Sequence, residues 1–362
     1  MMLGILGGGQ LARMLALAAA PLGVRVRCYD PSPEACARDV CELHVGRFDD
    51  PRALEAFVAG LSVATYEFEN VPASAAETLA NLTRLRPGAA SLLHAQDRVL
   101  EKQLLERAGF DVAPWRQVDS SQDLHEAIGV IGTPCILKTR RGGYDGKGQA
   151  IIADPADADR AWASIEGRPA ILEEMLAFER ELSLVAVAGE DGRSAFYPLV
   201  QNEHRQGILR VTVAPAPRVG AVLAASAAEM ASRLIAELHH VGVLTIEFFD
   251  VGGRLIANEF APRVHNSGHW TIDGAFTSQF ENHVRATLGL PLGSTEVRTP
   301  TVMLNCVGHM PAIEAVLARP DARLHDYRKA LRPGRKLGHV NMLGLPPQRI
   351  EATAAALGID LG

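Results

Sequence analysis

The sequence predicts an α/β protein of two or three domains, opening on a parallel sheet with helices on both faces. Three observations lead there. Strand and helix patterns alternate over the first 90 or so residues, the arrangement expected when crossover helices cover a sheet. The 362 residues exceed what one core needs at roughly 150 residues per domain. The texture then changes near Arg86-Pro87-Gly88, beyond which glycine-closed hairpins replace the alternation.

Taken in order, Met2 to Leu6 reads as a short buried strand, Gly7-Gly8-Gly9 as a tight turn, and Gln10 to Leu22 as a helix. Val24 to Asp30 alternates like a second strand. Asp50-Pro51 is a helix start, because aspartate caps and proline suits the first turn. Ser62 to Tyr66 is another strand. Gln96 to Ala108 is a charged amphipathic helix, and Pro134 to Thr139 a strand ending in Lys138. Strands are expected at Ala170 to Glu174, Glu181 to Ala188, Ala195 to Gln201 and Ile208 to Val213, and a long helix over Ala221 to His240. Leu244 to Asp250 and Arg254 to Phe260 form a hairpin closed at Gly252-Gly253. Asp273 to Leu288 reads as helix, and the tail from Thr301 as short strands with a last helix, Pro347 to Leu357.

Composition excludes several function classes. A formal net charge of −6 argues against a nucleic-acid coat, whose affinity comes from many phosphate-neutralising cations. The five cysteines, Cys28, Cys36, Cys41, Cys135 and Cys306, form no C-x-x-C pair. A disulfide framework or zinc site is not expected, and a reducing cytoplasm fits best. No uncharged apolar run reaches membrane-spanning length.

Three clusters carry chemistry. Gly7-Gly8-Gly9-Gln10-Leu11-Ala12 fits G-x-G-x-x-A, with Asp30 ending the next strand. That supports either dinucleotide binding or a tight turn alone. Lys138, ending an apolar strand, is odd in a buried sheet unless it meets an anion. It precedes a loop rich in glycine, Gly142 to Gly148, whose amides could fold over phosphates, or which could be a flexible basic hairpin. Glu247 and Glu259 lie in strongly apolar neighbouring strands. Burying two carboxylates there points to a shared cation, with magnesium held against a nucleotide's phosphates. Ion pairs with arginines are the alternative. Arg263, His265 and Asn266 follow at once and place donors beside that metal.

These pieces together resemble the ATP-grasp superfamily. Tyr66 to Asn70, Gly142 to Gln149, Asn258 to Trp270 and Arg332 to His339 narrow the likeness to the N5-carboxyaminoimidazole ribonucleotide synthetase family, from Gly4 to about His339. The resemblance implies an ATP-grasp fold with a Rossmann-like pre-ATP-grasp domain over residues 1–95, the ATP-grasp domain over 96–295 with a lid at about 115–177, and a small β-rich C-terminal domain over 296–362. It implies ATP, Mg2+, bicarbonate and 5-aminoimidazole ribonucleotide as ligands, and a homodimer. Arg98, Lys138, Gly143, Tyr144, Asp145, Gly146, Lys147, Gly148 and Gln149 would meet the nucleotide. Glu173, Glu174, Met175 and Leu176 would form its adenine hinge, with Glu181, His204 and Asn258 as further contacts. Glu247 and Glu259 would hold the metal, and Arg263 would orient the carboxyl species. Tyr144, Asp145, Lys147, His265, Asn266 and Gln10 would hold the aminoimidazole, with Asp145 as proton acceptor. Its 5′-phosphate would meet Lys329, Arg335 and Lys336.

Three rivals remain at this stage. A formate-dependent glycinamide ribonucleotide transformylase or another ATP-grasp ligase needs similar residues. A nicotinamide-dependent oxidoreductase explains only the first glycine turn. A non-catalytic nucleotide sensor predicts decay of at least one phosphate or metal residue.

Overall fold

The computed structural model describes residues 1–143 and 146–362. The chain opens with β1 (Met2–Leu6), α1 (Gln10–Ala19), β2 (Arg25–Asp30), β3 (Glu42–Val45), α2 (Pro51–Val58), β4 (Val63–Tyr66) and α3 (Ala73–Leu82). The four strands form an all-parallel sheet in the order β3-β2-β1-β4. Central β1 is buried at every position, as a strand covered on both faces must be. Asp50 caps α2, its side chain accepting from the amides of Arg52 and Ala53. The α-helix α1 stops earlier than its apolar pattern predicts. Pro21 has no N–H to continue the ladder, so Ala20–Leu22 tightens into a 3-10 turn ended by left-handed Gly23. Edge strand β3 is short and partly exposed, which leaves too little hydrophobic alternation to announce it.

The first glycine turn is not a dinucleotide site. The N-terminus of α1 already holds an anion, because the Gly9 and Ala12 amides donate to the carboxylate of Glu67, 2.9 Å in the second case. The Gly8 amide donates to Asp30 Oδ2 at 2.8 Å. Side chains of the protein itself thus fill the place where a pyrophosphate would sit, and the oxidoreductase reading falls. Gly7 has φ of 97°, and a Cβ there would lie 2.5 Å from Glu67 Cγ, so glycine is required on both counts. Glu67→Ala removes the acceptor of both amides and is expected to cost about 1–3 kcal/mol, read as a lower urea midpoint.

Two helices, α4 (Ala89–Ala95) and α5 (Arg98–Arg107), lead into a second sheet. It is built from β5 (Trp115–Val118), β6 (Cys135–Thr139), β7 (Gln149–Ile152) and β8 (Ala170–Glu174), antiparallel in the order β5-β8-β6-β7. Helices α6 (Ser121–Ile131) and α7 (Ala158–Ser164) cover it, closing a small separate core around Leu124, Ile128, Leu137 and Leu172. Asp97 ties this layer to the body. It caps α5 and accepts from Arg140 at 3.1 and 2.8 Å and from Arg141 at 3.1 Å.

The remaining strands join one nine-stranded antiparallel sheet. They are β9 (Arg180–Ala188), β10 (Ser194–Phe196), β11 (Val200–Arg205), β12 (Ile208–Ala214), β13 (Gly242–Val251), β14 (Arg254–Ala261), β15 (Thr301–Val307), β16 (Ala322–Asp326) and β17 (Lys336–Leu343). Their order is β14-β13-β9-β11-β12-β15-β17-β16, with β10 also on β9. Alternate residues of β9 enter different cores. Leu184 and Ala186 pack with helix α8 (Ala221–Leu238), whereas Val185 and Val187 pack with the core that holds α1 and α10 (Gln279–Thr287). Three further helices, α9 (Thr271–Gly274), α11 (Ile313–Leu317) and α12 (Ile350–Leu357), complete the chain.

Two expected elements divide. Ala195 to Gln201 is not one strand, since Pro198 lies between β10 and β11 and cannot donate to a ladder. Asp273 to Leu288 is two helices, because Ala275 bridges to Val297 and Ser278 starts α10 afresh by accepting from the Glu281 amide. Among the described residues, no helix is long and apolar enough to cross a membrane.

Candidate active site

The hairpin β13–β14 sets the centre of the site. Glu247 and Glu259 are direct cross-strand partners, so their carboxylates share one face. A bulge beside them places Asn258 opposite no residue of β13, since Phe248 pairs with Ala257 and Glu247 with Glu259. Strict alternation would send Asn258 to the far face; the extra residue lets Asn258 and Glu259 both line the same cleft. That cleft has a volume of about 560 Å3, within the usual range for a ligand site.

The two acids are electrostatically unequal. Burial and the facing Glu259 push the Glu247 carboxyl up to about 7. Burial acts on Glu259 too, but Arg98, 3.0 Å from its Oε2, and Lys138 hold it below the usual range. Two facing carboxylates of which one resists ionising are what a divalent cation would relieve.

Behind them lies a buried charge cluster. Glu173 is 3.1 Å from Lys102 Nζ through one oxygen and 3.1 Å from Lys138 Nζ through the other. Burial alone would raise the Glu173 carboxyl, yet Lys102 and Lys138 hold it down at about 2. Lys102 also donates to the backbone oxygen of Asn258 at 2.9 Å, fixing the bulge from below. Glu101 accepts from the Phe260 amide at 2.7 Å, and burial with the nearby Glu259 pushes its carboxyl up to about 8. Sequence reasoning missed Glu101 and Lys102 inside a charged helix. The available signal was spacing: Lys102 falls three residues from both Val99 and Leu105, on the face that helical periodicity assigns to the core.

The segment after β14 turns along the cleft wall. Gln279 clamps it, accepting from the His265 amide at 3.0 Å and donating to the His265 carbonyl at 2.6 Å. The His265 ring lies 3.3 Å from Glu247, and burial, then Arg263, drives its pKa well down. Arg263 pairs with Glu69 across the cleft; Glu69 stands in the Tyr66 to Asn70 stretch without a role read from sequence. Asn258 Oδ1, Arg263 Nε and both amide atoms of Asn266 are buried with no hydrogen-bond partner among the described residues. Such groups cost free energy unless a ligand meets them.

The other expected residues distribute as follows. Gln10, Gly143, Gly146, Lys147, Gln149, Glu181, His204 and Lys336 line the cleft. Glu181 hydrogen-bonds His204 at 2.5 Å, and although burial opposes it, that bond raises the imidazole pKa. Lys329 Nζ donates to Gln10 Oε1 at 2.8 Å, joining the C-terminal strands to the first glycine turn. Gly148 lies just outside the lining; a Cβ there would stand 2.6 Å from Thr139 Oγ1. Glu173 is buried beneath the cleft rather than on its wall, and Glu174, Met175 and Leu176 do not line it. Arg335 donates to the Ala330 carbonyl at 3.2 Å, away from the cleft lining. Tyr144 and Asp145 lie outside the described residues. Phe178 and Phe249, unremarked in the sequence, stack at 4.6 Å and 18° on the cleft wall and offer it an aromatic surface.

Glycines and cations lining a cleft that faces an acid-bearing hairpin fit an ATP-grasp enzyme, and the ATP-grasp domain model matches residues 103–280. The ribonucleotide synthetase preATP-grasp domain model matches residues 1–96 and the phosphoribosylaminoimidazole carboxylase C-terminal domain model residues 301–353. The chain belongs to the N5-carboxyaminoimidazole ribonucleotide synthase family. It is 46% identical to the protein of that name from Pseudomonas aeruginosa, over 94% of each chain. It resembles the crystal structure of the synthetase from Thermus thermophilus with a TM-score of 0.94 and 50% identity, covering 99% of this chain and 98% of that one. The Aspergillus clavatus enzyme, solved in complex with ADP and 5-aminoimidazole ribonucleotide, gives a TM-score of 0.91 at 30% identity over 98% and 97% of the two chains.

Proposed function

We propose that this protein uses ATP and bicarbonate to carboxylate the exocyclic amine of 5-aminoimidazole ribonucleotide, giving N5-carboxyaminoimidazole ribonucleotide, ADP and phosphate. The reaction belongs to purine nucleotide synthesis, and we place it in the cytoplasm with the protein acting as a homodimer. The observation that carries the reading is the cross-strand pair Glu247–Glu259 with Asn258 bulged beside it, continuous with Arg263 to Asn266 in one cleft.

Bicarbonate is a poor electrophile, and transfer of the γ-phosphoryl group of ATP to it gives carboxyphosphate, which the amine can attack. Lys138, on the cleft wall, neutralises charge on the phosphates, and the amides of Gly143 and of Gly146 to Gln149 close over them. Phe178 and Phe249 provide a face for the adenine, and Glu181 with His204 the ribose. Arg263, steered by Glu69, presents its fork to the planar carboxyl species. His265, kept neutral by burial, and Asn266, with its unpaired amide, hold the imidazole. Gln10 and Lys329, already in contact, and Lys336 take the sugar phosphate, while Asp145 accepts the amine proton. Closing the lid keeps water from a short-lived intermediate.

The donor set fits a magnesium ion: two carboxylates on one face, one raised by the other, and the buried Asn258 Oδ1 without a partner among the described residues. Glu247 and Glu259 would hold it, and when bound it supplies positive charge to the transferring phosphoryl group.

The test is release of ADP and phosphate by purified protein. Full rate should require bicarbonate and 5-aminoimidazole ribonucleotide together. Equal stimulation by formate with glycinamide ribonucleotide would move the assignment to the transformylase. Within this scheme Arg263→Lys keeps the charge but loses the fork. It is expected to lower kcat/KM by about 100-fold with ATP affinity unchanged by isothermal titration.

A further inference from the structure

Cys28 and Cys41 have no place in the reaction above, yet they face each other. Cys28 lies in β2 and is fully buried, whereas Cys41 sits just ahead of β3 and is half-buried. Their sulfurs are 3.1 Å apart across thirteen positions of sequence. A disulfide needs about 2.05 Å, so the two sulfurs stand roughly 1 Å beyond bonding distance. The Cys41 sulfur also lies 3.2 Å from the Ala37 carbonyl. That segment covers the first glycine turn, since the Ala37 amide donates to the Gly8 carbonyl at 2.9 Å and Arg13 to the Cys36 carbonyl at 3.3 Å.

The geometry points to a reversible Cys28–Cys41 disulfide formed when the protein meets hydrogen peroxide, with Cys41 attacking and Cys28 resolving. The roles follow from access, and the shared hydrogen bond reinforces them: it raises the Cys28 thiol, as burial does, and lowers that of Cys41. The Cys41 thiolate attacks one peroxide oxygen; an S–O bond forms, the O–O bond breaks, and hydroxide leaves and is protonated to water. Cys28 sulfur then attacks the Cys41 sulfenic acid; the S–S bond forms, the S–O bond breaks, and a second water carries off the Cys28 proton. Two thiols lose two electrons and one peroxide gains them. Exchange with an external dithiol restores the pair. The bond would pin the cover of the glycine turn to β2 and, through that turn, steady Gln10.

The test is to treat the full-length protein with hydrogen peroxide, alkylate it under denaturing conditions, digest it without reductant and map the peptides. A dithiothreitol-sensitive Cys28–Cys41 cross-link is expected, with Cys36, Cys135 and Cys306 alkylated. Cys28→Ser should accumulate a dimedone-reactive sulfenic acid at Cys41, and Cys41→Ser should give no adduct at Cys28. Alkylation of both Cys28 and Cys41 in wild-type protein, at peroxide concentrations that oxidise free N-acetylcysteine, would overturn the proposal without reference to any variant. A dimedone adduct on Cys28 in Cys41→Ser would overturn the assigned roles.

Discussion

Glu259→Gln should lower ATP-dependent turnover by at least about 100-fold while leaving the fold intact. The glutamine keeps the shape and one acceptor oxygen but removes the charge that Arg98 balances at 3.0 Å. It also removes the charge that, after burial, raises the Glu247 carboxyl, so one carboxylate remains on the cleft face where two stood. Glu259 opens onto the cleft, its side chain 38% exposed. Its loss should therefore be felt in chemistry rather than in folding. ADP release measured against magnesium concentration, beside a thermal melt, separates the two. Turnover within about threefold of wild type would remove Glu259 from the site.

The opposite balance is expected at Lys102. Its side chain is 1% exposed and holds both Glu173 and the Asn258 carbonyl. Lys102→Met strips one of two cations from a buried carboxylate, a change that costs about 3–5 kcal/mol. A large drop in denaturant midpoint should result, and Lys102→Met/Glu173→Leu should recover part of it. A single-variant loss below about 1 kcal/mol would show that the cluster is effectively solvated. The same cluster sets a pH dependence. Glu173 is depressed to about 2 in the folded protein, against an unfolded value of about 4.3. Its stabilisation is complete above that unfolded value and drains away as pH falls toward 2. Wild-type melting temperature should fall through that window, and Glu173→Gln should fall less steeply.

The acid-bearing hairpin was legible because Gly252-Gly253 announced its turn and two carboxylates interrupted strongly apolar strands. The place of Lys138 on the cleft wall was legible for a similar reason: a lysine contradicts the apolar strand that carries it. Long-range partners were not. Glu67 reaches the amide of Gly9 from 58 residues away, so the G-x-G-x-x-A pattern looked open to a dinucleotide until the chain folded its own acid into that place. The bulge at Asn258 is set by ladder registration, which local composition does not encode. Lys102 and Glu101 could have been read from helical spacing, but their charge outweighed their position. The break at Pro198 needed only the rule that proline cannot donate within a sheet.

The strands that bear Glu181, Glu247 and Glu259 share one hydrogen-bonded sheet with the strand that begins at Lys336. The proposed anchor for the sugar phosphate and the proposed grip on the nucleotide therefore stand on a single sheet. A hinge between the C-terminal strands and the rest would have to sever the β12–β15 hydrogen bonds. In the proposed reaction, closure would accordingly fall to the layer β5-β8-β6-β7 tethered through Asp97, and the spacing of the two proposed substrate sites would be set by the sheet as a fixed gauge.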